Sequence, residues 1–152
     1  MFLNKTFFFG LIALFMLPMQ LSAASKDDAR AFAEKAAAYI NQHGVENSLD
    51  IMHDKNGEFH DGELYVFALK FDGVTVIHGV NPKLEGKNLI NAKDPKGTYF
   101  VKEMTKAAKE QGSGWVHYMW KHPKTKKLTN KVSYVKRIGS KELYVGVGVY
   151  LQ

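Results

Sequence analysis

The chain predicts an α+β fold, a five-stranded antiparallel sheet with helices packed against it, and three observations carry that expectation. The periodic segments run in the order helix, helix, two strands, loop, helix, three strands. The strand-like runs are rich in β-branched and aromatic residues and are separated by short turn signals. Apart from one loop-plus-helix segment, no connection is long enough for a parallel crossover. No internal repeat or linker interrupts this pattern.

The N-terminus has a different character. Met1 to Lys5 carries a single cation, Thr6 to Leu21 is almost wholly apolar, and Leu21-Ser22-Ala23-Ala24-Ser25 has the small residues of a cleavage site. This order reads as a secretory signal peptide over residues 1–24, which leaves residues 25–152 as one domain. The competing reading is an uncleaved anchor, because the apolar run approaches spanning length. With the leader removed, 20 basic and 15 acidic residues leave a net charge of +5. The expected location is the periplasm.

The first helix is expected over residues 25–43. Ser25 and Asp28 form a capping-box variant, and Ala29, Phe32, Ala33, Ala36, Ala37 and Ile40 recur at helical spacing before Gly44. A shorter helix follows from Glu46 to Met52. Residues 64–71 and 74–77 read as strands joined by the hairpin signal Asp72-Gly73. A polar loop runs from His78 through Asn81-Pro82 and Gly86 to the turn Asp94-Pro95-Lys96-Gly97. A helix over residues 98–111 comes next, then strands at 115–120, 131–138 and 143–150.

Composition narrows the chemistry. There is no cysteine, so disulfides, thiolate metal sites and cysteine nucleophiles are excluded. The segment His53 to Asp61 is rich in metal-ligating residue types but fails the calcium-loop order, because Gly57 and Tyr65 stand at the wrong places. No nucleophile elbow or phosphate loop is present. Ser133 near Lys131 is weak as a catalytic dyad, so no enzyme activity, cofactor or metal is expected. The cationic run from Lys121 to Lys127 falls in a turn and reads as solvated, and no nucleic-acid partner is expected of an exported chain.

The strand aromatics point to a pocket. Tyr65, Tyr118, Tyr134, Tyr144 and Tyr150 all lie on strands, where buried hydroxyls need partners. His78 ends a strand, and Lys131 and Lys136 lie on a neighbouring one. A carboxylate asks for one cation and a few neutral donors in a mostly apolar cleft.

Several separated motifs, in order, resemble the single Cache domain family of extracytoplasmic sensor modules. They are Asp72-Gly73, His78, Asn81-Pro82, Leu84-Glu85-Gly86-Lys87-Asn88, Asp94-Pro95-Lys96-Gly97, Gly114-Trp115-Val116-His117-Tyr118, Lys131-Val132-Ser133-Tyr134 and Gly148-Val149-Tyr150. The resemblance implies a PAS-like sheet with a long N-terminal helix, and a ligand held between the sheet and the loop-plus-helix segment. It implies small organic acids of two to four carbons, such as acetate, propionate, lactate or pyruvate. Carried over, the ligand-binding candidates are His78, Tyr118, Lys131 and Tyr134, with Trp115 and Phe100 as walls; Tyr65 is added from the strand pattern. Lys131 and Tyr134 have opposite strand parity, so placing both in one pocket requires a bulge, or Lys131 at the strand's start. The family's sensors carry a second span and a signalling domain. Here the expectation is a free-standing form acting with a membrane receptor or sensor kinase. The alternative is an interaction module that has kept the fold and lost the ligand.

Overall fold

The computed structural model describes residues 23–151. The signal-peptide reading therefore lies outside the described residues, Ala23 and Ala24 excepted. Among the described residues no helix is long and apolar enough to cross a membrane.

Helix α1 spans Lys26–His43. The Ser25 hydroxyl accepts from the Asp28 N–H, and the Asp28 carboxylate accepts from the Ser25 N–H, so two otherwise orphaned donors are satisfied reciprocally. Its buried face is Ala29, Ala33, Ala36, Ala37 and Ile40. Four alanines in that stripe let the helix axis approach the sheet closely. A 3-10 turn at Glu46–Ser48 leads into α2, Leu49–His53.

The main sheet has the strand order β4-β3-β7-β6-β5 and is antiparallel throughout. Its strands are β3 (Phe67–Lys70), β4 (Thr75–His78), β5 (Ser113–Lys121), β6 (Leu128–Arg137) and β7 (Leu143–Tyr150). The run expected as one strand over residues 64–71 divides at Val66. Its first part, β2 (Leu64–Tyr65), pairs back with β1 (His60–Asp61) in a separate two-stranded hairpin that the sequence pattern did not reveal. The Asp72-Gly73 turn forms as expected: Asp72 Oδ1 accepts from the Val74 N–H, and Gly73 takes a φ of +94°.

Each sheet face buries a different core. On one face, Val66, Ala68, Ile77, Val132, Val145 and Val147 pack beneath α1. The other face is covered by the connection from β4 to β5, which ends in α3 (Phe100–Gln111). That connection begins by doubling back along the outer edge of β4. The Thr75 N–H donates to the Lys87 carbonyl, the Gly86 N–H donates to the Thr75 carbonyl, and Val74 and Asn88 form an antiparallel bridge. The exposed edge is thereby occupied by the chain's own backbone.

Candidate functional site

Beneath α3 and the long connection lies a small cavity, lined by Tyr65, Phe67, Leu69, Thr75 and His78 from the β2–β4 side. Tyr118, Trp120 and Lys131 from β5 and β6 complete its floor, and Leu89, Phe100, Val101 and Met104 roof it. Strand alternation explains the floor: Tyr118 and Trp120 share one parity on β5, as Lys131 and Ser133 do on β6. Two glycines on β7 make room. A Cβ at Gly146 would run into the Phe67 ring, and one at Gly148 would meet Ser133 Oγ and, at 2.7 Å, Lys131 Cε.

The roof is held by specific bonds. Asp94 Oδ1 accepts from the Lys96 and Thr98 N–H groups and Oδ2 from the Met119 N–H, which pins the connection to β5. Although burial pushes the other way, these bonds hold the Asp94 carboxyl below its ordinary range. They set the start of α3, where the Phe100 ring stacks on Tyr118 at 5.1 Å and meets Trp120 edge-on at 5.4 Å. Nearer β4, Glu85 Oε1 accepts from the His78 backbone N–H at 2.8 Å and meets His53 Nε2 at 2.6 Å. The loop after His78 is thus tied to α2.

Lys131 is the dominant chemical feature. The residue is 1% exposed. Its Nζ donates to the Tyr65 hydroxyl at 2.9 Å and lies 4.2 Å from the Tyr65 ring centroid, 5.0 Å from Tyr150 and 5.4 Å from Phe67. No carboxylate forms an ion pair with it among the described residues. Burial lowers its pKa from 10.5 to about 7, against a weaker opposing pull from Glu63. From Tyr65 the hydrogen bonds continue to the Tyr150 hydroxyl at 3.2 Å and from there to the Lys121 carbonyl at 3.0 Å.

His78 supplies a neutral donor. Burial, and then the neighbouring Lys131 charge, lower its pKa to about 3. Its Nδ1 accepts from the Asn81 N–H at 3.1 Å, which leaves the ring proton on Nε2. The ring lies 5.3 Å from that of Tyr65 and 6.2 Å from that of Trp120. Tyr118 is buried, and its hydroxyl shares a 3.0 Å hydrogen bond with Ser133 Oγ. Burial raises the phenols of Tyr65 and Tyr118 well above their ordinary value, so both remain neutral donors. One buried cation beside the neutral His78 N–H and the Tyr118 hydroxyl, among apolar walls, is chemistry suited to a small carboxylate.

Five of the seven candidate residues therefore meet at the cavity: Tyr65, His78, Phe100, Tyr118 and Lys131. Tyr134 and Trp115 do not. β6 is regular across Lys131 to Arg137, with no bulge, so Tyr134 projects to the α1 face as its parity requires. There its ring packs 5.1 Å from that of Trp115, with Lys26 over Trp115 and Arg30 over Tyr134. Lys136 shares the parity of Tyr134. The irregularity lies in β4 instead. Ala68 faces Ile77 but Leu69 faces Thr75, so Val76 is an extra residue. This brings Thr75 and His78, of opposite parity, to the same cavity. Thr75 and the roof residues Val101 and Met104 were missed as site residues. Trp120 could have been found from its parity with Tyr118.

The cationic turn is less uniformly solvated than its composition suggests. His122 is largely buried, its Nδ1 accepts from the Lys124 and Thr125 N–H groups, and its Nε2 lies 3.4 Å from Glu63 Oε2. Among the described residues no group of acidic and histidine side chains could hold a metal ion.

Comparison with known proteins agrees with this fold. Residues 33–152 match the dCache_2 family model, described as a Cache domain. The chain is 32% identical over 87 residues, 57% of its length, to the sensor histidine kinase MctS of Rhizobium johnstonii. It is 33% identical over 92 residues, 60% of its length, to the methyl-accepting chemotaxis protein McpP of Pseudomonas putida. These alignments take in 19% and 17% of the two relatives, so the chain spans less than a fifth of their length. Among solved structures, a methyl-accepting chemotaxis protein from Vibrio parahaemolyticus has a TM-score of 0.70 at 22% identity, covering 82% of this chain and 87% of that one, a likeness of fold. A Cache chemosensory domain described for carboxylic acid recognition has a TM-score of 0.62 at 26% identity and covers 82% of each chain.

Proposed function

The chain belongs to the Cache domain family, and from that premise we propose that it is an extracytoplasmic sensor domain whose cavity binds a small organic acid of two to four carbons. The observation that carries this reading is Lys131, a buried cation with a tyrosine hydroxyl for a partner and no acid paired with it among the described residues. An unpaired ammonium in apolar surroundings is unfavourable unless an anion completes the site. The neutral His78 Nε2–H and the Tyr118 hydroxyl supply the remaining donors, while the Tyr65 hydroxyl, bonded to Lys131 and Tyr150, holds the cation in place. The carboxylic acid recognised by the Cache chemosensory domain of related fold supports the same ligand class.

The cavity measures about 20 Å³, against the roughly 10–15 Å³ that one water requires on the same measure. An acid must therefore displace its flexible walls. The unbranched chains of Lys131 and Met104 are the ones able to re-pack, and the acid's carbons would then meet Phe67, Phe100 and Val101. Such a domain would act with a membrane receptor or sensor kinase, the protein types in which its curated relatives occur.

Titration calorimetry with acetate, propionate, lactate, pyruvate and butyrate tests the proposal. Binding of at least one acid, weakened by Lys131→Ala by roughly 2–5 kcal/mol, is the expected result. Absence of binding by every acid, or affinities indifferent to Lys131→Ala, would overturn it.

A further inference from the structure

We propose that Thr75 is a second ligand anchor, and that the acid recognised carries a hydroxyl or carbonyl group at the end remote from its carboxylate. This rests on the reading that the cavity takes a small carboxylate, and it specifies the rest of that molecule.

Thr75 is 1% exposed and lines the cavity, and its hydroxyl is buried without a hydrogen-bond partner among the described residues. Its backbone groups are already occupied, the N–H by the Lys87 carbonyl and the carbonyl by the Gly86 N–H. Leu69, which stands opposite Thr75, and the cavity-lining Leu89, Val101 and Met104 cannot accept or donate effectively. Valine has nearly the same shape and fills a strand position equally well. Threonine therefore adds a buried polar group that packing does not require, and such groups are satisfied in nearly all folded proteins.

The register places this hydroxyl away from the cation. Thr75 stands opposite Leu69 and His78 opposite Phe67, two residues apart on β3, about 7 Å along the strand. The His78 ring packs beside those of Tyr65 and Trp120. A carboxylate held by Lys131 and His78 would keep a substituent on its second carbon close to those donors. The offset of about 7 Å is only the component along the strand, because Thr75 rises from β4 and Lys131 from β6. A four-carbon chain of roughly 4 Å, with a hydrogen bond of about 3 Å at each end, reaches about 10 Å. The polar group that meets Thr75 therefore belongs on the third or fourth carbon.

The test is calorimetry on the full chain with butyrate, 3-hydroxybutyrate and 4-hydroxybutyrate, comparing wild type, Thr75→Val and Thr75→Ser. In the wild type, at least one hydroxy acid should bind about tenfold more tightly than butyrate. Thr75→Val should collapse that ratio to near one, and Thr75→Ser, which keeps the hydroxyl, should retain most of it. If butyrate binds and neither hydroxy acid binds better, or if Thr75→Val preserves the ratio, Thr75 is no anchor although the carboxylate site stands. If none of the C2–C4 acids binds the wild type, the carboxylate reading falls and this inference with it.

Discussion

Replacing Lys131 with methionine should make the protein more stable while abolishing acid binding. Burial lowers the Lys131 pKa from 10.5 to about 7. At about 1.4 kcal/mol per pH unit, holding this group charged in the folded state costs about 5 kcal/mol at pH 6. Methionine has a chain of similar length and no charge. Its introduction takes a donor from the Tyr65 hydroxyl, a loss of about 1 kcal/mol because Tyr65 keeps its bond to Tyr150. The net gain should be about 2–4 kcal/mol at pH 6. The sign of the pH dependence follows from proton counts. Between pH 7 and 10.5 the unfolded chain holds the Lys131 proton and the folded chain does not, so wild-type stability rises with pH through that window and the contribution is lost as pH falls to 7. From pH 6 to pH 9 the wild type should gain about 3 kcal/mol over the variant. Urea unfolding followed by tryptophan fluorescence at pH 6, 7, 8 and 9 measures both quantities. A Lys131→Met protein less stable than wild type at pH 6, or one with the wild-type pH slope, would refute the argument that Lys131 is a penalised buried cation.

Other outcomes follow from the same geometry. An acid bound beside Lys131 raises its pKa again, so binding at pH 7.5 should take up about 0.7 proton, read by calorimetry in buffers of different ionisation enthalpy. Tyr118→Phe should weaken acid binding about tenfold, whereas Tyr134→Phe, on the α1 face, should change it by less than about twofold; equal effects would contradict the assignment of faces. Gly148→Ala should destabilise the fold by about 1–3 kcal/mol in chemical denaturation, because the new methyl group meets the Lys131 chain and Ser133.

Much of the fold was legible because local signals agreed with one another. The Ser25–Asp28 cap, the alanine stripe and Gly44 all specify the same helix, and the turn residues divide the strands at nearly the observed places. The division at Val66 was not legible. Nothing in Leu64 to Phe71 shows that Tyr65 pairs with His60 while Phe67 pairs with His78 and Gly146, since pairing partners lie far apart in the chain. At the site, alternation on β5 and β6 was a sounder guide than motif order. Tyr134 and Trp115 entered by their places in motifs, yet parity alone sets Tyr134 opposite Lys131. The depth of Lys131 could not be read either, because lysine is normally an exposed residue and its chain lies where a Cβ at Gly148 on the neighbouring strand would collide with it.

The extra residue in β4 has a consequence for how such a pocket can change. Had the ladder continued regularly from Thr75, Val76 would face Ala68, Ile77 would face Phe67 and His78 would face Val66. An isoleucine would then enter the cavity, and the histidine would turn into the apolar layer under α1. The polar lining is thus determined by a count of residues as much as by their identity. Gain or loss of one residue in a short strand can exchange a hydrogen-bond donor for a hydrocarbon without any substitution at the positions involved, which makes strand length a heritable variable in what the domain detects.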